Sequence, residues 1–512
     1  MSSSIQERNP RINVILIMVD SLNRTYLSPY GADIKTPNFE RLAKRCVTMD
    51  RHWTGSMPTM PCRREVHAGI HEYLWRGWGP LEPFDITLAQ LCREKGQVAM
   101  LLTDCYHYFQ EGSGNYHMDF TGWEFFRGHE TDNWITDPIE PPRIYRKMLE
   151  EKGEKGAAYM RNTARFRDER DFFSPRLLRR AAEWLDENHT HQDFFLMIDS
   201  FDVHEPFHVP PPYDIMYDPD FTGEWPIWNK YAPADAFAPA ELRHIRAQYM
   251  GKVTMFDKWL GGVLDRIDRY GLWENTLVML TSDHGHHLGE HGWVGKNKAP
   301  FFSHLTNIPL FVSLPGMKPK LGSRLRMLTS QIDTYPTIAE ALGLTIPQGY
   351  TIHGYSMLPA LRGKAKKIRD IAHTGYFGMP VVVSDGRYAL HKMPARPDNA
   401  PLCSYGINIE AFHKRSANPY RNAETGRFLP YTDAIVFKNT LRAPDAFAVP
   451  PKGKDGKPQP DLLFDLTVGD DISQDIYKDN PNIVAQLTRK LIEEFHRLKA
   501  PTEQFMRLGL DQ

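Results

Sequence analysis

The sequence predicts an α/β fold in which a central, mostly parallel sheet is flanked by helices. Two observations support this prediction. Short apolar runs that end in polar residues recur along the chain, and segments with helical periodicity lie between them. Continuous apolar runs are typical of strands buried on both faces, as in a parallel sheet covered by helices. Strand–helix alternation indicates an open sheet whose ligands bind beyond the carboxyl ends of the strands.

The strands and helices of this sheet can be assigned in chain order. The predicted strands are Val14–Val19, Val98–Leu102, Phe194–Ile198 and Leu277–Leu280. The predicted helices are Asn38–Arg45, Thr87–Lys95, Pro175–Asn188 and Ala240–Tyr270. Asp20 and Asp283 lie at the ends of two of the strands, where they either cap the following turns or line a ligand site.

The pattern changes after about residue 370 and predicts a second, smaller α+β domain. Asp385-Gly386 is a strong turn signal between two strand-like runs, so Val381–His391 is expected to form a hairpin. A Pro/Lys/Gly-rich stretch, a strand and a charged amphipathic helix follow at 449–460, 462–466 and about 482–498. We therefore predict an α/β domain over residues 1–370 and an α+β domain over 371–512.

Composition excludes several classes of function. Lys and Arg total 62 against 63 Asp and Glu, a net charge of −1, which argues against nucleic-acid or anionic-membrane partners. The five cysteines show no CxxC spacing and fit a reducing compartment. The polar N-terminus has no signal-peptide pattern, and no apolar run reaches the roughly 18 residues of a membrane span. We expect a soluble, cytoplasmic protein.

Two strand ends carry side chains suited to holding a cation. Asp283-His284 offers a carboxylate and an imidazole side by side, and Asp20 is a second strand-end carboxylate. Such mixed oxygen and nitrogen donors are typical metal ligands. An isolated Asp-His pair is more often part of a surface turn.

Three loops carry groups suited to an anion. Thr59 and Arg63 place a hydroxyl and a guanidinium four residues apart, which suits a nucleophile beside an oxyanion clamp. His204 and Lys296 lie in two further loops. A single His or Lys in a loop is usually only solvated, but these features together in one α/β chain favour an active site.

In this order the motifs resemble the sulfatase branch of the alkaline phosphatase superfamily. Thr59-Met60-Pro61-Cys62-Arg63, closed by Gly69, is similar to the Cys/Ser-x-Pro-x-Arg signature of that family. The resemblance extends over about residues 11–500. Its other motifs are Asp20-Ser21, 30–31, 35–43, 201–206, 281–285, 288–296, 332–337, 353–359 and 463–466.

The resemblance implies a metal-dependent active site in the first domain. Asp20, Asp283 and His284 should hold one divalent metal ion, with Thr59 at the nucleophile position against it. The mixed donor set favours Mn²⁺, with Zn²⁺, Fe²⁺, Ca²⁺ and Mg²⁺ as alternatives. A bound metal would favour the alkoxide of a ligated hydroxyl.

By the same resemblance, Arg63, His204 and Lys296 should surround the tetrahedral anion and act in catalysis. Fixed cations there would stabilise the charge that moves onto the leaving oxygen. His204 could instead protonate the leaving group.

The sequence departs from the sulfatase pattern at the nucleophile. Thr59 stands where sulfatases have the Cys or Ser that is converted to formylglycine, and Cys62 does not serve as precursor because residue 64 is Arg rather than Pro. A threonyl phosphoester is an ordinary hydrolysable intermediate, whereas a threonyl sulfate would require attack by water. Ser21 also replaces a second Asp, as in phosphonate monoester hydrolases/phosphodiesterases of this branch.

Three other features of the sequence bear on the site. Thr103–His107 replaces the usual Gly-Lys-Trp-His segment, so an anion-binding lysine is lost. A second metal would require Asp199, His208 and His353, and we favour one metal. Aromatic residues near the predicted site either pack in the core or form a pocket for an aryl or quaternary-ammonium group beside Asp104. They are Trp53, Trp75, Trp78, Tyr106, His107, Tyr108 and Trp123.

The leading hypothesis is a hydrolase of phosphodiesters or phosphonate monoesters that uses Thr59 as nucleophile. The second is a sulfate-ester hydrolase, and the third is a catalytically silent anion-binding protein with the same fold. Intact charged residues in the motifs disfavour the silent protein, because an unpaired cluster of charges is costly without a ligand. We expect a small anionic ester as substrate and a homo-oligomeric assembly.

Overall fold

The computed structural model describes residues 12–110, 112–140, 142–297, 300–407, 423–441, 459–468 and 474–510. The strands found there are β1 (Asn13–Val19), β2 (Val47–Trp53), β3 (Ser56–Met57), β4 (Ala99–Thr103), β5 (Gly122–Phe125), β6 (Phe195–Ser200), β7 (Ala232–Pro233), β8 (Thr276–Thr281), β9 (His287–Leu288), β10 (Trp293–Gly295), β11 (Leu310–Ser313), β12 (Arg324–Ser330), β13 (Ala372–Tyr376), β14 (Val381–Ser384), β15 (Tyr388–Lys392), β16 (Leu402–Gly406), β17 (Ala423–Gly426), β18 (Val436–Leu441) and β19 (Leu462–Asp465). The helices are α1 (Pro37–Arg45), α2 (Thr59–Ala68), α3 (Leu88–Glu94), α4 (Arg146–Lys152), α5 (Glu154–Thr163), α6 (Phe173–Asn188), α7 (Pro239–Arg269), α8 (Ser303–Thr306), α9 (Thr334–Ala341), α10 (Leu358–Leu361), α11 (Pro481–Arg497) and α12 (Thr502–Arg507).

An eight-stranded sheet forms the centre of the protein, in the order β12-β2-β11-β8-β1-β6-β4-β5. The strands β8, β1, β6, β4 and β5 are parallel to one another, whereas β11 is antiparallel to β8 and β2. The predicted α/β fold with a mostly parallel sheet is therefore confirmed.

The central strand β1 explains why the sequence shows unbroken apolar runs rather than alternation. Val14, Leu16 and Met18 pack into one hydrophobic cluster, and Ile15 and Ile17 pack into another. All of them are buried, because helices cover both faces of the sheet. The four predicted strands are found as β1, β4, β6 and β8, and the four predicted helices as α1, α3, α6 and α7.

Local signals set the ends of several elements. Thr87 caps α3, and its hydroxyl accepts a hydrogen bond from the Gln90 N–H at 3.0 Å. Gly69 ends α2 with φ of 73°, a left-handed conformation that glycine adopts readily. In the predicted hairpin, β14 and β15 are antiparallel neighbours and Gly386 has φ of 88° at the turn.

A second sheet has the order β19-β15-β14-β13-β3. Its outermost strand β3 comes from the first part of the chain and pairs in parallel with β13, so that Ser56 is opposite Gly375. The helix α11 packs on β14 and β15. The boundary predicted at residue 370 stays a prediction, and residues 449–458 of the predicted Pro/Lys/Gly-rich stretch lie outside the described residues.

Two further findings concern predictions from composition. Across the described ranges, no helix combines the length and apolar character that crossing a bilayer requires. All five cysteines are buried free thiols.

Candidate functional site

The strand register brings the two predicted carboxylates together. Met18 of β1 is opposite Thr281 of β8. Asp20 and Asp283 each follow two residues later, so they leave neighbouring parallel strands at the same level. Met18 is also opposite Asp199 of β6, which places a third carboxylate at this edge of the sheet.

Asp20, Asp283 and His284 form a buried cluster. Each offers one ligand atom, and these atoms lie within 4.8 Å of one another. Ser21 orients both carboxylates, because its N–H donates to Asp283 Oδ1 at 3.0 Å and its hydroxyl donates to Asp20 Oδ1 at 2.8 Å. Ser21 has φ of 61°, a rare backbone conformation for a non-glycine residue that is often found at functional sites.

The hydrogen bonding of His284 fixes its tautomer. Its Nδ1 lies 2.8 Å from the carbonyl oxygen of Gly285, which can only accept, so Nδ1 carries the proton. Burial, together with the charge of Lys296, lowers the pKa of His284 to about 3. His284 is therefore neutral, with an unprotonated Nε2. A metal-ligating histidine typically has this arrangement, in which the other ring nitrogen donates to a carbonyl.

Arg63 clamps the three carboxylates from helix α2. Its Nε and Nη2 donate to both oxygens of Asp199, at 2.9 and 2.7 Å. Its Nη1 lies 3.1 Å from Asp20 Oδ2 and 3.0 Å from Asp283 Oδ2. Even so, burial and the neighbouring Asp283 raise the pKa of Asp20 to about 6.

Thr59 is the first residue of α2 and lies one turn before Arg63, on the same helix face. Arg63 Nη1 also donates to the Thr59 carbonyl at 3.1 Å. Thr59 is only 1% exposed. Its position at a helix N-terminus favours negative charge beside its hydroxyl, because the first N–H groups of a helix have no partners within the helix.

Lys296 and His204 are buried at the same edge. Lys296 Nζ lies 3.3 Å from His284 Nε2 and 3.9 Å from Asp20 Oδ1. The ring of His204 stacks on Phe201 with centroids 4.3 Å apart. Burial and the charge of Lys296 hold the pKa of His204 well below its ordinary value. His204 Nδ1 donates to the Glu205 carbonyl at 2.6 Å, so its Nε2 is an acceptor when the ring is neutral.

The comparisons identify the family of this chain. The family model described as Sulfatase matches residues 12–344, which is more than half of the chain. The chain belongs to the sulfatase family. The resemblance to the sulfatase branch of the alkaline phosphatase superfamily is thereby confirmed.

Relatives of this sulfatase-family protein carry different names. It is 26% identical over 443 residues to the multifunctional alkaline phosphatase superfamily protein PehA of Trinickia caryophylli, covering 71% of this chain and 80% of that protein. It is 24% identical over 414 residues to a choline-sulfatase of Rhizobium meliloti, covering 73% and 77%. It is 24% identical over 403 residues to arylsulfatase K of Xenopus laevis, covering 71% and 69%.

Solved structures share the fold. The phosphonate monoester hydrolase of Agrobacterium radiobacter superposes with a TM-score of 0.63 at 20% identity, covering 95% of this chain and 96% of that one. The phosphonate monoester hydrolase SpPMH of Silicibacter pomeroyi has a TM-score of 0.62 at 17% identity, covering 97% of each.

Sulfatase-family enzymes use a divalent metal ion, and the residues at this edge fit one. The donors are two carboxylates and a neutral imidazole, all buried. Asp20, Asp199 and Asp283 face the cations Arg63 and Lys296, so the group has one more negative than positive charge. A divalent cation would convert this excess to a single positive charge, which a monoanionic ester would balance.

The side chains considered for a second metal have other partners. Asp199 is bound to Arg63 and also accepts from the Tyr108 hydroxyl. His208 packs against Tyr145 and Tyr159, and His353 packs against His71 and Trp75. Within the described residues, Asp20, Asp283 and His284 are the one group of this kind close enough to share an ion.

The aromatic residues named from the sequence lie in three kinds of surroundings. Trp53 and Trp75 belong to hydrophobic clusters of the core, and Trp123 is 47% exposed. Trp78 and Tyr106 contact His107, which in turn contacts Phe201 below His204. Asp104 accepts from the Phe201 N–H at 2.5 Å, and burial raises its pKa well above the ordinary value.

Sequence reasoning missed three groups near the site. Asp199 was considered only for a second metal, although its place at a strand end is the same signal that identified Asp20. Glu205 and Glu130 were not singled out, because nothing in their spacing distinguishes them from solvated loop carboxylates.

Proposed function

We propose that this protein is a metal-dependent hydrolase of phosphodiesters or phosphonate monoesters, with Thr59 as nucleophile. The observation that carries the proposal is a threonine at the start of α2, one turn before the arginine that binds Asp20 and Asp283. A threonine side chain cannot become formylglycine, because its Cβ carries a methyl group. It can form and release a phosphoester.

Each of these residues has a separate role in the proposed hydrolysis. The Thr59 hydroxyl attacks phosphorus while the alcohol leaves, which gives a phosphothreonine ester that water then hydrolyses. Asp20, Asp283 and His284 would hold a divalent ion, which would supply Lewis-acid stabilisation of the negative charge when bound. Lys296 adds a fixed positive charge. The acceptor Nε2 of His204 takes the proton of the attacking Thr59 hydroxyl and passes it to the leaving oxygen, so that a neutral alcohol departs.

Charge supports a monoanionic substrate. Three carboxylates and two cations, with one divalent ion, leave a single positive charge for the ester to balance. Phosphodiesters, phosphonate monoesters and sulfate monoesters all carry one negative charge at neutral pH. Discrimination between them therefore depends on the nucleophile, and Thr59 favours phosphorus. The small anionic ester, the cytoplasmic location and the homo-oligomer remain part of this proposal.

Thr59→Ala provides the first test. Loss of a nucleophile should lower kcat by several orders of magnitude on the metal-loaded enzyme, whereas loss of a packing group should cost less than about tenfold. The control Thr467→Ala removes the hydroxyl of an exposed residue, which donates to Asp465 two positions earlier. Retention of most activity in Thr59→Ala would overturn the nucleophile role.

A second test compares aryl phosphodiester, phosphonate monoester and sulfate substrates with the same leaving group. We expect the phosphorus esters to be cleaved faster, and rapid-quench mass spectrometry should locate an adduct on the Thr59 peptide. Efficient turnover of the sulfate with poor turnover of both phosphorus esters would favour the sulfatase hypothesis. Anion binding without turnover of any ester would favour the silent binding protein.

A further inference from the structure

Two carboxylates beside the candidate active site each have one buried oxygen without a hydrogen-bond donor among the described residues. Glu205 follows His204 directly, and Glu130 lies in the loop after β5, at the same edge of the sheet. The Oε2 atoms of both are buried and have no hydrogen-bond partner among the described residues. Glu205 is 2% exposed. Buried carboxylate oxygens normally have donors, so a donor from outside the chain would explain them.

The position of Glu130 is set by its two neighbours. His129 Nε2 lies 2.9 Å from Asp202 Oδ1, and the Thr131 hydroxyl donates to the Tyr106 hydroxyl at 2.7 Å. Glu130 itself has φ of 45°, in the left-handed region that is unfavourable for a residue with a side chain. Strain of this kind clusters at ligand sites, where surrounding contacts hold the backbone.

Aromatic groups surround the two carboxylates. His107 Nε2 lies 3.6 Å from Glu130 Oε2, and the His107 ring is 5.1 Å from Phe201 and 4.7 Å from Trp78. On the other side, the Tyr231 hydroxyl donates to Glu205 Oε1. Glu205 Oε2 lies 3.4 Å from His204 Nδ1, a nitrogen that already donates to a carbonyl. It also lies 3.7 Å from His286 Nδ1, which is too far for a hydrogen bond.

The charges here leave a negative excess. Burial and the neighbouring Glu205 raise the pKa of Glu130 to about 7. Lys152 is a nearby cation, and its Nζ donates to the Asn229 carbonyl at 3.2 Å and lies over the Trp228 ring. The charge of Lys296 also lowers the pKa of both carboxylates. Lys296 is already paired with Asp20, however, so it is not included in this charge balance. A bound cation would favour the ionised form of Glu130, and two ionised carboxylates against Lys152 leave room for one more positive charge.

We propose that Glu130 and Glu205 bind a primary or secondary ammonium group on the organic part of the ester. The free oxygens require N–H donors as well as positive charge, which a quaternary nitrogen does not supply. The substrate class is then an aminoalkyl ester. Its anionic group would lie at the candidate metal site, and its ammonium group would lie beside Glu130 and Glu205. This inference rests on the proposed function, since it extends that site to the leaving group or its substituent.

The test measures binding rather than turnover. Isothermal titration calorimetry on the metal-loaded protein compares 3-aminopropylphosphonate with butylphosphonate, which has the same shape without the charge and is equally resistant to hydrolysis. We expect the amine to bind roughly 10- to 100-fold more tightly. Glu130→Gln and Glu205→Gln should each reduce this preference by about tenfold or more, with butylphosphonate unaffected.

Control variants and a second probe make the result decisive. Glu150→Gln changes an exposed glutamate of α4 and should leave both affinities unchanged. Glutamine at 205 keeps an acceptor for Tyr231, and thermal unfolding reports whether each variant is folded. Equal affinity of the two phosphonates for the unaltered protein, or an unchanged preference in both variants, would overturn the inference.

Titration with n-propylammonium alone separates this inference from the proposed function. If neither phosphonate binds but the ammonium binds in a manner that depends on Glu130 and Glu205, the ammonium site stands and the anion site fails. If butylphosphonate binds and the amine adds nothing, the anion site stands and the ammonium site is refuted.

Discussion

Replacing Arg63 by methionine tests whether its guanidinium holds the buried carboxylates together. Methionine keeps the apolar part of the side chain but removes every donor. Asp199 would lose a bidentate partner at 2.7 and 2.9 Å, and Asp20 and Asp283 would lose contacts at 3.1 and 3.0 Å. All of these side chains are fully buried, so water cannot replace the lost donors.

The expected loss of stability follows from the geometry. Removing one partner of a buried ion pair costs about 3–5 kcal/mol, because the other charge stays buried without compensation. Three carboxylates depend on Arg63, so we expect the upper part of that range for the metal-free protein at neutral pH. Arg63→Lys should lose less stability than Arg63→Met but remain less stable than the unaltered protein, since lysine keeps the charge but cannot bind both oxygens of Asp199.

Urea denaturation followed by circular dichroism gives the free energy of unfolding of each variant. Arg41→Met is the matched control, because it removes surface ion pairs with Asp265 and Asp268 that are worth about 0–1 kcal/mol. Saturating Mn²⁺ should recover part of the loss in Arg63→Met by binding the folded state. A loss below about 1 kcal/mol for Arg63→Met would refute the reasoning.

Three more predictions concern other buried groups. Burial raises the pKa of Glu65 to about 8, against hydrogen bonds from Ser56. The folded protein then keeps a proton that the unfolded chain releases, so stability should fall as pH rises from about 4.5 to 8, by on the order of 4 kcal/mol. Glu65→Gln should flatten this profile in urea titrations at several pH values, and an unchanged slope would contradict the assignment. Asp283→Asn should weaken Mn²⁺ affinity, measured by calorimetry, by at least about tenfold without unfolding the protein, and equal affinity would exclude it as a ligand. His204→Ala should lower kcat/KM by roughly 10²–10⁴-fold, most strongly for poor leaving groups if it transfers a proton, and a flat penalty across a leaving-group series would reject proton transfer.

The sequence was sufficient for four of the eight strands of the central sheet and only partly for the site. Buried parallel strands are continuous apolar runs, and helices show periodicity, so β1, β4, β6 and β8 could be predicted from local pattern alone. Asp20 and Asp283 could be paired because the carboxyl ends of parallel strands share an edge. The antiparallel strand β11 carries no such signal, since its direction depends on contacts distant in the sequence.

Local sequence pattern could not show which charged side chains pair with one another. Arg63 is predicted to contact the anion, a prediction that stays untested, while its donors in this structure are directed at three carboxylates. The bidentate contact with Asp199 joins residues 136 positions apart, and no spacing rule reports it. Glu130 depends in the same way on a strained loop whose neighbours are fixed by Asp202 and Tyr106.

The pairing of β3 with β13 has a consequence for the order in which the protein is made. The loop before Thr59 is held by the Thr374 hydroxyl, which donates to the Thr54 carbonyl at 2.6 Å, and by the Gly375 N–H, which donates to the Gly55 carbonyl at 3.0 Å. These partners are about 320 residues apart in the chain. A ribosome-bound chain that ends before β13 can contain Asp20, Asp283 and His284, yet its loop before Thr59 lacks the strand with which β3 pairs. The loop before Thr59 in a nascent chain therefore lacks these two hydrogen bonds until the second sheet has left the ribosome.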